Sequence, residues 1–562
     1  MQQTPKDVNH TARWVVFLVV MVHSTLVSWQ DFRWGVTIDE VAHLPAGIYL
    51  WEFGRFELYP VNPPLVKALA AVPAVIGSAR ADWTHTGDMA FERPEWWVGA
   101  DFVRANNDEW FVWFVLGRLA VLPLSVVGGI TCYLWAKELY GVWSGLLALS
   151  LWCFSPNVLA WASTITPDIG GASFAVLAGW KFHKWLQRSS WRNAVLAGVS
   201  LGLAQLAKST LIVFLIVWPV TWALWSLTRR YRTGCGAVSN FQTVRRQSFQ
   251  LSIILVIAIF LLNLGYGFQG SGRALSSYQF GSRLLAGKCN IVDQVASGGN
   301  RFASNWAGAI PVPFPSSYVH GIDLQRLDFE RGGASYMCGH WSPRGWWSYY
   351  LFACLVKVPI GTLVLGLLTF CLTVSSSRYR CTWRHDIVVL LPACVLIMLV
   401  SSQTGFSRYF RYLLPAFPLL FVWCGKLAMS ITHRSRLVAV FGVTAFTWSF
   451  SSAMAVYPHS MSYFNEFTGG PHGGHRFLLD ANIDWGQDMC FLKRWYDNHP
   501  NSRPLKINCI HPVSVAAYGF ESNRDSSQGR ELIPGWYAVS VHTLFADNSP
   551  YKYLTENHQP VC

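Results

Sequence analysis

The chain has 562 residues, of which 52% are hydrophobic and 13% charged, against about 25% charged in an ordinary soluble protein. That balance excludes a string of soluble domains with wet, charged surfaces and predicts a polytopic membrane protein, all-α across the bilayer. The 29 tryptophans fit, because indole favours the membrane–water interface, and the net charge of +14 has to be judged by where the basic residues fall.

Apolar runs of about 17 residues or more cross a bilayer as helices. Eleven are predicted, roughly 14–30, 110–135, 142–160, 168–186, 194–208, 211–227, 251–268, 349–374, 387–402, 413–430 and 437–456. The first run is followed by no small-residue cleavage site and reads as a signal anchor. Between 194 and 227 the stretch is long enough for a hairpin, with Lys208-Ser209 at its turn.

Lys and Arg set the orientation. With the N-terminus in the cytoplasm, the cytoplasmic segments hold 18 basic residues, Arg188, Arg229, Arg245, Arg378 and Arg434 among them. Against these stand three acidic ones, Asp7, Glu138 and Asp386. The outer loop 31–109 has 12 acidic and 6 basic residues, and the segment 457–562 has 10 and 8. The basic excess therefore faces anionic lipid, and no nucleic-acid partner is expected. The predicted protein is integral to the cell (inner) membrane, with a cytoplasmic N-terminus and an extracytoplasmic C-terminus. Residues 1–456 form the membrane module with outer loops 31–109 and 269–348. Residues 457–562 form a small α/β domain with strand-like runs Lys506–Ile510 and Trp536–Val541 and a helix near Met489–Asn498.

Five of the 13 cysteines fall outside: Cys289, Cys338, Cys490, Cys509 and Cys562. A Cys289–Cys338 or Cys490–Cys509 bridge suits an oxidising compartment. No cysteine pair has zinc spacing. His472 and His475 in their glycine-rich loop read as a turn, so neither a metal nor a cofactor is expected.

Charges inside a membrane are expensive and usually functional. Arg118, Asp168, Lys208, Lys357, Arg408 and Arg411 lie within or at the ends of spans, all toward the outer face. Five are cations and Asp168 supplies one negative charge, so a phosphate group at the outer face is expected to supply the rest. Arg408 and Arg411, three apart, are expected on one helical face. Asp39 and Glu40 follow the first span by about nine residues, in Thr37-Ile38-Asp39-Glu40-Val41-Ala42-His43. A carboxylate beside a phosphate site can act as general base toward a hydroxyl or amine; a solvated loop or a helix cap is the plainer alternative. In Asn62-Pro63-Pro64-Leu65, proline suits the first turn of a helix. Leu65, Leu69, Val72 and Ile76 share one face of that helix, which is read as lying on the membrane or packing against the spans. Thr166-Pro167-Asp168 reads as a helix start with Thr166 as cap.

Asp39-Glu40 with His43 and Gly47, then Asn62-Pro63-Pro64-Leu65, resembles the first outer loop of GT-C glycosyltransferases, in the branch of protein O-mannosyltransferases and the lipid A aminoarabinose transferase. Thr166-Pro167-Asp168, Leu206-Ala207-Lys208, Leu355-Val356-Lys357-Val358-Pro359, Arg411-Tyr412-Leu413-Leu414-Pro415 and Ser462-Tyr463-Phe464-Asn465-Glu466 resemble further segments of that group. Asn482-Ile483-Asp484-Trp485-Gly486-Gln487-Asp488 is similar to a signature of bacterial members. The resemblance implies a GT-C fold and inverting transfer of a sugar from a polyprenyl-phosphate donor to a protein, lipid or glycan acceptor. It implies Asp39 as the base and Glu40 as a residue orienting the acceptor or tuning its partner. Arg118, Lys208, Lys357 and Arg411, with Arg408, would hold the phosphate. His43, Asp168, Asp484 and Asp488 are further candidates, the last two for touching the acceptor or for a structural role in the tail. Trp346-Trp347-Ser348-Tyr349-Tyr350 has Ser348 where oligosaccharyltransferases carry an aspartate, and the sequence has no Asp-x-Asp motif, so the metal-dependent branch is not expected. A transporter or flippase for an anionic lipid or solute is the alternative; inverted repeats and broken midplane helices would mark it.

Overall fold

The computed structural model describes residues 5–87, 93–233, 237–287, 291–292, 295–296, 298–432, 435–521, 534–547 and 549–561. All eleven apolar runs fall on helix. Among the described residues, seven helices are long and apolar enough to cross a membrane: His10–Asp31, Asn107–Tyr140, Ser209–Thr228, Gln242–Gly265, Trp383–Ser402, Phe410–Ile431 and Arg436–Val456. Two bent pairs, Val142–Cys153 with Pro156–Ala162 and Tyr349–Lys357 with Ile360–Ser375, bring the number to nine. The protein is thus a polytopic, mainly helical integral membrane protein. The other two expected spans are the helices Pro167–Gln187 and Trp191–Ala207, which do not reach the same measure of length and apolarity. Pro167–Gln187 is buried along nearly its whole length. Its small residues let neighbouring backbones approach, so it is surrounded by protein rather than lipid.

Sequence chemistry explains the breaks. Val358 precedes Pro359, and the clash with the proline ring keeps it extended (φ −100°, ψ 134°). The chain bends there by 111°. Pro156 opens the helix Pro156–Ala162, where a missing N–H costs nothing, and the bend from the preceding helix is 58°.

The loop 31–109 holds helices Ile38–Phe53, Pro64–Ile76 and Glu95–Ala105. Gly47 lets the first two touch, since a Cβ there would stand 2.1 Å from the Lys67 carbonyl oxygen. Pro64–Ile76 packs inward by Val66, Lys67, Ala70, Ala71 and Ala74. Its Leu65, Leu69 and Val72 are half-buried, Leu65 and Leu69 against the core, and Ile76 is 79% exposed. The loop 269–348 contributes the helix Ser316–Arg331 and the antiparallel hairpin Ser335–Met337 with His340–Ser342.

In the tail, Met489–Asn498 packs on a parallel pair, Leu505–Asn508 with Trp536–Val539, around Met489, Tyr496, Leu505, Ile507 and Phe520. The tail also seats on the first outer loop. The Gly35 N–H donates to the Gln487 carbonyl at 2.8 Å and the Ile38 N–H to that of Trp485 at 3.1 Å. Cys490 and Cys509 are free thiols, so the bridge between them is not formed. Cys289 and Cys562 lie outside the described residues.

Candidate active site

A cavity of about 260 Å³ opens between the loops 31–109 and 269–348 and the ends of the buried helices. Asp39, His43, Asp168, Lys208 and Arg411 all line it, together with Tyr59, Asn62, Arg93, Asp328, Tyr409 and Tyr412.

Local structure delivers each side chain. Thr37 is extended (φ −83°, ψ 159°) and begins the helix Ile38–Phe53, placing Asp39 in the first turn. The backbone N–H groups there favour negative charge. Pro167 opens the next contributing helix and puts Asp168 in its first turn. The Thr166 hydroxyl bonds that of Thr164 at 3.2 Å instead of capping this helix, a departure from the expected cap. Lys208 leaves the helix Trp191–Ala207 with extended backbone. Its stem runs across Gly171, where a Cβ would stand 2.8 Å from the lysine Cδ. Lys208 is buried rather than reaching for water, as an outer hairpin tip would suggest. Arg411 stands in the 3-10 helix Phe410–Ala416.

The charges alternate. Lys208 pairs with Asp168. Arg411 pairs with Asp39, and its Nε lies 3.7 Å from Asp168. The Arg411 guanidinium lies 4.8 Å from the ring centre of Trp161 and 4.7 Å from that of Tyr409. Asp39 also accepts from the Tyr59 hydroxyl at 3.5 Å and from the Trp485 indole N–H at 3.3 Å. Arg93 bonds Glu95 at 2.6 Å and Asp328 at 2.8 Å, tying the first outer loop to the helix Ser316–Arg331. Burial works against the Arg93 charge, but these two carboxylates outweigh it and hold its pKa above the ordinary value. Neither His43 ring nitrogen has a hydrogen-bond partner. Burial first, then the charges of Lys67 and Arg411, push its pKa well below the ordinary imidazole value, with Asp168 opposing. His43 is therefore neutral at pH 7.

Four expected site residues stand apart from this cavity. Arg118 and Glu40 are wholly buried against each other, with two hydrogen bonds of 2.7 Å. The remaining Arg118 donors reach the carbonyls of Asp31, Trp34 and Gly35. Glu40 also accepts from Thr37 and from the Ile165 N–H. The Lys357 ammonium donates to the carbonyls of Met461 at 2.8 Å and Asn482 at 2.6 Å, and lies over the Phe464 ring. Arg408 does not share a face with Arg411. Tyr409 is extended and the 3-10 helix begins only at Phe410, so Arg408 turns toward Asp480 at 3.7 Å. The idea that five buried cations lack an anion is corrected accordingly. Carboxylates serve four of them and backbone carbonyls serve Lys357.

Asp484 and Asp488 lie outside the cavity as well. Asp484 accepts from the Gly486 N–H at 2.9 Å. Burial and the neighbouring Asp488 push its pKa up to about 8. Asp488 bonds the Gln487 side chain at 3.2 Å. Among the described residues no cluster of three His, Cys, Asp or Glu side chains is placed to hold a metal ion. His475 stacks on Phe545.

Sequence reasoning did not single out Tyr59, Arg93, Asp328 or Trp485. Tyr59 and Trp485 stood beside or inside quoted motifs. Nothing in the sequence marks Arg93 or Asp328 among other loop charges, because only folding brings them together. Chemically, the cavity offers three carboxylates (Asp39, Asp168 and Asp328), three cations (Arg93, Lys208 and Arg411) that can meet a negative charge, a neutral imidazole and a rim of aromatic rings.

Residues 110–238 match the family model described as dolichyl-phosphate-mannose-protein mannosyltransferase, a GT-C glycosyltransferase family. The matched segment contains Arg118, Asp168 and Lys208. The match covers less than a quarter of the chain and includes two of the quoted segments, Thr166-Pro167-Asp168 and Leu206-Ala207-Lys208. No curated protein matches the chain. Among solved structures, ArnT from Cupriavidus metallidurans in the apo state is similar at 14% identity and a TM-score of 0.44, over 74% of this chain and 60% of that one. The same protein bound to undecaprenyl phosphate gives 12% and 0.44, over 79% and 71%. The Archaeoglobus fulgidus oligosaccharyltransferase AglB, in complex with an inhibitory peptide and a dolichol-phosphate, gives 13% and 0.41, over 79% and 56%. The chain thus spans about 60% of the length of the first of these.

Proposed function

We propose that this protein is a membrane-embedded GT-C glycosyltransferase that moves one sugar from a polyprenyl-phosphate donor to an acceptor at the extracytoplasmic face, with inversion at the anomeric carbon. Asp39 is the general base. It takes the proton of the acceptor hydroxyl or amine. The freed lone pair forms a bond to the anomeric carbon as the bond from that carbon to the phosphate oxygen breaks. That oxygen leaves with the electron pair, and Lys208 and Arg411 take up the growing negative charge. Asp168 meets both of those cations and fixes where the phosphate docks.

The observation that carries this reading is that Arg411 reaches Asp39 on one side and Asp168 on the other in a single cavity. A base and a phosphate site are thus one guanidinium apart, close enough for acceptor and donor to meet without diffusion. The acceptor is a protein, a lipid or a glycan, and the carrier undecaprenyl or dolichyl. The orientation follows from the basic residues: N-terminus in the cytoplasm, cavity and segment 457–562 outside.

The test is mass spectrometry of cell-envelope glycans and lipids with and without the gene, complemented by the wild type or by Asp39→Asn. A glycan restored by the wild type and absent with the Asn variant supports transfer. A glycan restored equally by both discards Asp39 as the base. Lipid or solute movement in vesicles with no covalent product would favour the transport alternative.

A further inference from the structure

Asp39 lies 446 residues from the tail residue that touches it. Its Oδ2 accepts from the Trp485 indole N–H at 3.3 Å, while the other oxygen faces the Tyr59 hydroxyl. Trp485 is buried, and its ring meets that of Tyr409, a cavity-lining residue, at 5.1 Å between centres. The backbone that carries the indole is held from both ends. The Trp485 backbone N–H donates to the Gln487 side-chain oxygen at 2.6 Å, and the Gln487 amide donates to the Ile483 carbonyl at 2.8 Å. The Trp485 carbonyl accepts from the Ile38 N–H, at the root of the helix that carries Asp39. One short segment of the tail thus fixes both the backbone that presents the aspartate and the donor that faces it.

We propose that Trp485 is a positioning residue for Asp39, so that the segment following the last span completes the active site rather than merely covering it. This rests on Asp39 being the base. An N–H donor on a carboxylate favours its ionised form. Together with Arg411 on the same Oδ2 and the Tyr59 hydroxyl on Oδ1, it fixes the carboxylate plane, which restricts the direction from which a proton is taken. The sequence points the same way in hindsight: Asn482, Gln487 and Gly486, in the same motif, are spent on holding this turn. Asn482 is bonded to the Leu479 and Arg408 carbonyls and to the Tyr349 hydroxyl.

The experiment uses the full-length protein in lipid vesicles with a polyprenyl-phosphate sugar and its acceptor. Trp485→Phe keeps the ring and removes the N–H. Its kcat is expected to fall about tenfold, the scale of a hydrogen bond to a charged group, with the donor KM unchanged within twofold. Trp485→His, which retains a ring N–H, is expected to recover part of kcat above the titration of its own ring. A folded Trp485→Phe protein with wild-type kcat overturns the inference. So does a Trp485→His protein that is folded and as slow as the Phe variant. Should Asp39→Asn turn over at the wild-type rate, it is the assignment of the base that fails, whatever Trp485 does.

Discussion

Arg118 and Glu40 meet through two hydrogen bonds of 2.7 Å, with neither side chain exposed to solvent. Five backbone groups, of Asp31, Trp34, Gly35, Thr37 and Ile165, complete their valences. The pair ties the end of the first span, the start of the helix bearing Asp39, and the turn before Asp168 into one block. A buried pair broken on one side leaves an uncompensated charge, which costs about 3–5 kcal/mol. Arg118→Met is therefore expected to lower the detergent melting temperature and the yield of folded protein. Activity per folded molecule should fall much less than for Asp39→Asn, as size-exclusion chromatography with a transfer assay would show.

Lys208 and Lys357 separate two kinds of buried lysine. Lys208 shares its carboxylate partner with Arg411 at the cavity, so Lys208→Gln is expected to raise the donor KM by about tenfold with a small change in melting temperature, tenfold being about 1.4 kcal/mol. Lys357→Met removes the donor to two carbonyls that join the bent span to the tail. It is expected to lower the melting temperature with the donor KM near wild type. Titration with prenyl phosphate beside a thermal melt distinguishes the two.

Arg93 ties Asp328, on the helix Ser316–Arg331, to the loop holding Asp39, and its guanidinium lies 5.8 Å from the Tyr59 ring centre. Arg93→Gln is expected to loosen that wall of the cavity and cut kcat/KM by about tenfold, roughly one charged hydrogen bond. Hydrogen exchange should rise in residues 316–331 rather than in the spans.

Asp484 sets a pH dependence of stability. Burial and the neighbouring Asp488 raise its folded pKa to about 8, above the ordinary aspartate value of about 3.9. Stability from its neutral form is complete below the lower value and is lost as pH rises through the higher one. Asp484→Asn, neutral throughout, is expected to melt about 3 °C above wild type at pH 8 and within about 1 °C of it near pH 4. Melting curves at the two pH values decide it.

Much of the helical layout was legible because lipid imposes a simple rule: about twenty apolar residues per crossing. Every predicted run falls on helix, two of them as bent pairs. The two that do not meet the measure, Pro167–Gln187 and Trp191–Ala207, are packed against other helices, and small residues serve there as well as large apolar ones. The motif around Asp39 was readable too, since an acidic residue in a first turn, followed by a proline-opened helix, is a local pattern. Partnership was not readable. Arg118, Lys208, Lys357, Arg408 and Arg411 are alike in a sequence: cations in apolar surroundings. Whether each meets a carboxylate, a carbonyl or a cavity depends on segments tens to hundreds of residues away.

The sequence by itself determined that this chain lives in a membrane, how its helices are spaced and that Asp39 stands just beyond the first crossing. Those properties follow from hydropathy and local backbone chemistry, which act over one or two turns. Only the tertiary structure decided that Arg118 and Glu40 neutralise each other, that Lys357 is spent on carbonyls, and that Trp485 comes from the far end of the chain to face Asp39. Coulomb and hydrogen-bond partners are chosen by distance in space, and in a bundle of bent helices that distance is not a function of sequence separation.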